Sequence, residues 1–137
     1  MTDKILLADL LALTEATLPE IAQLTAQATE ALKTKVSRGG KVSNAALEED
    51  QFTAHALAWL ATYNQSLIQL RGWAGRVAEA GAFGQMESLS LQIGFGEYLN
   101  QIAGGIPMSQ VEVARLSDLG VSWTPSEAAR TLMTQGN

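Results

Sequence analysis

From Ala45 to Ala80 apolar side chains return every three or four residues, and this run constrains the chain more than any other feature. Phe52, His55, Trp59, Tyr63, Leu67, Leu70, Trp73 and Val77 step along one side, and Leu57, Leu60, Ala61 and Ile68 widen the surface around it. That spacing predicts one helix of about ten turns. A helix apolar over so much of its circumference is central and packed by several neighbours. An aromatic stripe at helical spacing reads as core rather than as a flavin or ligand box.

The flanking segments are helical too. Leu10, Leu13, Leu18, Ile21, Leu24, Ala28, Ala31 and Leu32 carry helical periodicity with one disturbance near Thr17. There Thr17-Leu18-Pro19-Glu20 reads as a capping box, with Thr17 as N-cap and Glu20 at the third position. The segment from residue 4 to residue 38 is therefore expected to be two helices or one bent helix. Gly39-Gly40 ends it, residues 41–44 turn, and Ser43 or Asn44 caps the long helix. A third helix is expected from Phe83 to Ala103, with Leu89, Ile93, Phe95, Tyr98, Leu99 and Ile102 buried. Gly94 and Gly96 lie inside it and imply close approach by a neighbouring helix or ligand. After Gly104-Gly105-Ile106-Pro107, two short helices are expected, from Ser109 to Leu119 and from Thr124 to Met133. The second opens on a capping box, Thr124-Pro125-Ser126-Glu127. Nothing alternates with a period of two, so no strands are expected. The fold class is all-α, an up-and-down helical bundle with short C-terminal helices. Residues 1–133 form one domain and 134–137 a linker or tail.

A length of 137 residues fits one domain with one core. Without cysteine, disulfides, thiolate metal sites and Cys nucleophiles are excluded, and a lone His55 rules out a His-rich metal site. The amino terminus is broken by Asp9, Glu15 and Pro19, so it reads as neither a signal peptide nor a membrane span, and a cytoplasmic location is expected. The net charge of −5 argues against a nucleic-acid partner. The basic cluster Lys33, Lys35, Arg38 and Lys41 reads as favourable charge at a helix C-terminus. Charged residues make up only 17% of the chain against 47% hydrophobic, which implies apolar surface beyond a single core, some of it covered by another chain or domain.

A catalytic constellation is not legible. His55 sits mid-helix between Phe52 and Trp59 and reads as a buried or half-buried hydrogen-bonding residue rather than a general base. Glu48-Glu49-Asp50 diverge around a first helical turn and read as dipole partners, not as a dyad. Glu97 has no second carboxylate at helical spacing, and no P-loop, GxGxxG or HExxH is present. The segment from Gly96 to Gly120 has the most unusual local chemistry. A helix running into Gly104-Gly105 exposes backbone amides, Gln101 lies one turn earlier, and Arg115 and Asp118 are spaced to pair.

Gln101-Ile102-Ala103-Gly104-Gly105, followed by Glu112, Arg115 and Asp118, resembles the carboxy-terminal helical domain of acyl-CoA dehydrogenases. In that family a Gln-x-x-Gly-Gly corner on one subunit touches the FAD of its neighbour. The wider pattern, from HALAWLATY at His55–Tyr63 to GEYLNQIAGGIPMSQ, resembles the extra amino-terminal domain of (2S)-methylsuccinyl-CoA dehydrogenases. The resemblance spans residues 5–125 and is most specific over the twenty residues from Gln92. It implies Gln101, Gly104 and Gly105 as cofactor-contacting positions, with FAD held by the parent enzyme and none by this segment.

The departures from that pattern also carry implications. Ser117 precedes Asp118, the Gly105–Asp118 spacing is shorter than in the family, and no segment carries the family's catalytic glutamate. The resemblance therefore implies a non-catalytic accessory domain that docks on the catalytic portion of an acyl-CoA dehydrogenase-like flavoenzyme, or on further copies of itself. The parent reaction it implies is FAD-dependent desaturation of an acyl-CoA, of the methylsuccinyl-CoA type. A free-standing helical protein-interaction module is the alternative.

Overall fold

A computed structural model describes residues 5–136 of the chain. Five α-helices account for most of it: α1 (Leu10–Val36), α2 (Asn44–Glu49), α3 (Gln51–Glu79), α4 (Gln85–Gly104) and α5 (Glu127–Gln135). The long helices run up and down. Arg71, late in α3, reaches the Leu11 carbonyl and the Glu15 carboxylate at the start of α1. Lys35, late in α1, pairs with Asp50 just before α3. Leu70 meets Gly94 while Tyr63 meets Gln101, which sets α4 antiparallel to α3. The expected all-α bundle is the fold.

Helix α1 is continuous through Pro19, so the capping box expected at Thr17 does not form. Thr17 is fully buried, and its hydroxyl donates to the Leu13 carbonyl at 2.9 Å, one turn back. A threonine can satisfy itself this way inside a helix as well as at a cap, so the motif alone does not choose between them. Pro19 sits on the exposed side, where water can reach the carbonyl whose amide partner the ring removes. The helix start expected at residue 4 lies outside the described residues, and residues 5–9 are not helical.

The segment after α1 differs from expectation. Ser37–Arg38 (β1) and Lys41–Val42 (β2) form a two-residue antiparallel ladder rather than a plain helix stop and turn. Gly39 and Gly40 sit at its tip with φ of 59° and 78°. Two consecutive positive φ angles make the tight hairpin turn that glycine alone enters freely. Ser43 caps α2 as expected, accepting from the Ala46 amide at 3.3 Å. The helix expected over 45–80 is broken at Asp50, whose φ of −109° and ψ of 28° leave the helical region. Helix α2 packs Ala46 and Leu47 on Leu32 and Val36 of α1, and this side packing sets the break.

The aromatic stripe of α3 is not the buried seam. Ala56, Leu60, Tyr63, Leu67 and Ala74 are buried, whereas Phe52 and His55 are exposed and Trp59 and Trp73 half-buried. The seam is set by the small residues. Ala56 and Ala74 are fully buried in one apolar cluster with Leu10, Ile21, Leu24 and Ala28 of α1, and the bulky rings are left along its border. The stripe and the seam coincide at Tyr63 and Leu67. In α4, Leu91, Phe95, Leu99 and Ile102 are buried, but Ile93, expected inside, is 49% exposed. Gln92 is buried instead: its amide accepts from Leu7 N at 2.7 Å and donates to the Ile5 carbonyl at 2.9 Å.

The helix expected from Ser109 to Leu119 is absent. Ile106–Pro107 (β3) pairs antiparallel with Val113–Ala114 (β4), and a 3-10 turn follows over Leu116–Leu119. The Ser109 hydroxyl accepts from the Val111 and Glu112 amides at 3.3 and 3.1 Å, a local turn that competes with helix. Ile106 and Ala114 are buried beneath the hairpin, so the ladder buries apolar surface where a helix was expected. The expectation of no strands thus fails at both two-residue ladders. Helix α5 is capped by Ser126, not Thr124: Ser126 Oγ accepts from Ala129 N at 3.2 Å. The helix continues through Thr134 and Gln135, into the segment read as linker, and Gly136 is buried against Gly96. Asn137 lies outside the described residues.

Candidate functional site

Helix α4 ends where Gly104 gives way to Gly105, whose φ of 140° and ψ of 129° are closed to residues with a side chain. Leu99 and Ile102 hold the last turn in the core, while Ile106 returns into it on β3, so the chain must reverse at Gly105. A Cβ at Gly105 would lie 2.5 Å from Val113 Cγ1 on β4. Both the reversal and the hairpin packing therefore require glycine there. Gly104 is different: it keeps a helical conformation, is exposed, and has open space where a Cβ would stand.

Gln101 is half-buried, and its Oε1 accepts a hydrogen bond from the Tyr63 hydroxyl of α3. Tyr63 stacks on Tyr98 with ring centroids 4.5 Å apart and edges against Trp59 at 6.3 Å. Trp59 in turn donates from Nε1 to His55 Nε2 at 3.0 Å. Burial pushes the Tyr63 phenol above its ordinary value, and repulsion from Tyr98 adds to that rise. The phenol is thereby kept a donor, matched to the Gln101 carbonyl oxygen.

The three positions implied as flavin contacts therefore share one corner but not one task. Gln101 has its acceptor engaged by Tyr63, the space at Gly105 is filled by Val113, and only Gly104 faces open space. Contacts within the chain thus hold the corner at Gln101 and Gly105 and leave it open at Gly104. The helical glycines follow the same logic. A Cβ at Gly94 would lie 2.5 Å from Leu70 Cδ2, and one at Gly96 would lie 2.9 Å from the Gly136 backbone. Neighbouring elements of the chain account for both.

Other candidate residues take structural places. His55 is exposed rather than buried, and its ring nitrogen serves Trp59. Asp118 Oδ2 accepts from the Arg115 backbone amide at 2.8 Å, so that pairing runs through the main chain rather than the guanidinium. Arg38 closes the end of α1, donating to the Lys35 and Ser37 carbonyls at 2.9 Å each. Among the described residues no His, Asp or Glu cluster could hold a metal ion. No described helix is long and apolar enough to cross a membrane. Sequence reasoning missed Tyr63 as the partner of Gln101. The two lie 38 positions apart on different helices, and helical periodicity does not say which polar atoms meet across a packed pair.

No family model matches the chain. Over its whole length it is 57% identical to the (2S)-methylsuccinyl-CoA dehydrogenase of Cereibacter sphaeroides, and it spans 25% of that enzyme's length. The matched region includes the His55–Tyr63 run, the Gln101–Gly105 corner and the hairpin that packs on it. The chain is thus similar throughout to a segment, about a quarter, of a (2S)-methylsuccinyl-CoA dehydrogenase.

Proposed function

We propose that this chain is the amino-terminal, non-catalytic helical domain of an acyl-CoA dehydrogenase-like flavoenzyme of the methylsuccinyl-CoA type, and that it docks on the catalytic portion. The observation that carries the reading is the whole-length identity to one quarter of such an enzyme. The corner supports the accessory role, since the Gln101 acceptor and the Gly105 space are used by the chain itself. FAD bound to the catalytic portion would supply the redox chemistry of α,β-desaturation. This segment would contribute packing and a fixed position for the rest of the protein.

Purification of the chain alone and of the complete product of its gene tests this reading. The chain alone should be colourless and show no saturable FAD binding at micromolar concentration. The complete product should be yellow and should desaturate a branched dicarboxylic acyl-CoA, with Gln101→Ala leaving its flavin content unchanged. Stoichiometric flavin on the chain alone would overturn the accessory reading. A complete gene product without a flavin-binding portion would leave a free-standing interaction module.

A further inference from the structure

We infer that the solvent side of α3 between Gln51 and Gln69 is the surface that docks on the remainder of the flavoenzyme polypeptide, an inference that rests on the reading above. The exposed positions at its centre are Gln51, His55, Ala58, Thr62, Gln65 and Gln69. They alternate by four and three residues, the spacing of a seam that meets another helix. No Asp, Glu, Lys or Arg occurs anywhere from Gln51 to Leu70. Elsewhere the exposed helix sides carry charge, with Glu15, Glu30 and Lys33 on α1, Glu97 on α4 and Arg130 on α5. Phe52 and Ile68 flank the seam at 41% and 37% exposure. Ala61, Thr62, Gln65, Ser66 and Gln69 line a shallow groove of about 460 Å³ along it.

The chemistry of this face selects its occupant. A surface of alanine, threonine and glutamine with one imidazole and no Asp, Glu, Lys or Arg offers little to a polyanion or a charged peptide. It suits a helix of similar character, approached closely over the alanines and bridged by amides that both donate and accept. Its extent separates a tethered partner from a free one. Eighteen helical steps span about 27 Å and a helix is about 10 Å wide, so the face offers roughly 270 Å². A free second copy needs about 800 Å² per partner for a stable complex. A partner in the same polypeptide, at an effective concentration in the millimolar range, is held by far less. The matched segment is 25% of the relative's length, and the remaining three-quarters supplies such a partner in the reading above.

Site-specific thiol labelling tests the face, because the chain has no cysteine of its own. Ala61→Cys and Gln65→Cys are made in the 137-residue chain and in the complete gene product, with Glu30→Cys on the charged side of α1 as control. Maleimide labelling is read on the peptide that carries the new thiol. The thiols at positions 61 and 65 should react about ten-fold or more slowly in the complete product, and the control equally in both. Equal rates at 61 and 65 in a complete product that holds FAD and turns over would overturn the docking face and leave the accessory reading standing. Protection that appears in the chain alone and grows with its concentration would make the occupant a second copy, which also overturns the inference. A complete product without flavin would sink the underlying reading first.

Discussion

Glu20 on α1 binds Ser126 at the start of α5 through both carboxylate oxygens: Oε1 accepts from Ser126 N at 2.9 Å and Oε2 from Ser126 Oγ at 2.6 Å. Glu20 Oε1 also accepts from Trp123 Nε1 at 3.3 Å. One side chain thus fixes where the last helix begins. Glu20→Ala should cost about 1–2 kcal/mol in denaturant melts, since these are charge-assisted bonds in partly exposed surroundings. Ser126→Ala should cost a similar amount through loss of the cap. The double variant should cost clearly less than the sum, because both remove the same contact. Full additivity would show that Glu20 and Ser126 act independently in solution.

The two glycines of the corner should respond oppositely to alanine. Gly105→Ala places a side chain at a φ of 140° and into Val113, so the chain should lose about 2 kcal/mol or more. Gly104→Ala fills open space in a helical conformation and should leave stability unchanged or raise it by up to about 1 kcal/mol. Thermal unfolding of both variants checks this. Equal destabilisation by the two would contradict the corner as described.

Core substitutions should follow burial rather than ring size. Leu60 is fully buried, and Leu60→Ala should cost about 2–5 kcal/mol. Trp59 lies half-exposed at the border of the seam, so Trp59→Ala should cost about 1–2 kcal/mol, less than its size suggests. Denaturant midpoints of the two variants, ranked the other way, would place the helix in a different rotation.

Stability should decline in alkali through Tyr63. Its folded value is raised from 10.0, so the folded state holds the phenol proton more tightly than the unfolded chain does. The resulting stabilisation is complete below about pH 10 and is lost as pH climbs through the raised folded value. Tyr63→Phe should flatten that alkaline loss. It should also cost about 1–2 kcal/mol at neutral pH by leaving Gln101 Oε1 without its donor. Urea midpoints measured across pH for both proteins provide the comparison.

What could be read from the residues follows from the range of each interaction. Long helices announce themselves because buried positions repeat within a turn or two, as at Phe95, Leu99 and Ile102, although the same period also admits Leu89 and Ile93 where Leu91 is the buried residue. The hairpins do not, since two-residue ladders at Ser37–Arg38 and Ile106–Pro107 are too short to show a period. Motifs satisfied at a distance mislead. Glu20 stands three residues after Thr17 and completes a capping pattern, yet its partner is Ser126, 106 positions away. At the corner, Gly105 is legible as a glycine-requiring stop beside Pro107. The engagement of Gln101 by Tyr63 is not, because it depends on how α3 is rotated, and that rotation is set by alanines with weak pattern of their own.

Helix α4 holds Gln92, Gly96 and Asn100 on one stripe at intervals of a single turn. The first binds residues 5 and 7, the second packs on Gly136, and the third donates to the Met133 carbonyl at 2.8 Å. Both ends of the described chain are therefore moored to one rod within about 12 Å of its length. Loss of α4 from the bundle would therefore release residues 5–7 and 133–136 together, so the first and last described segments stand or fall with one helix.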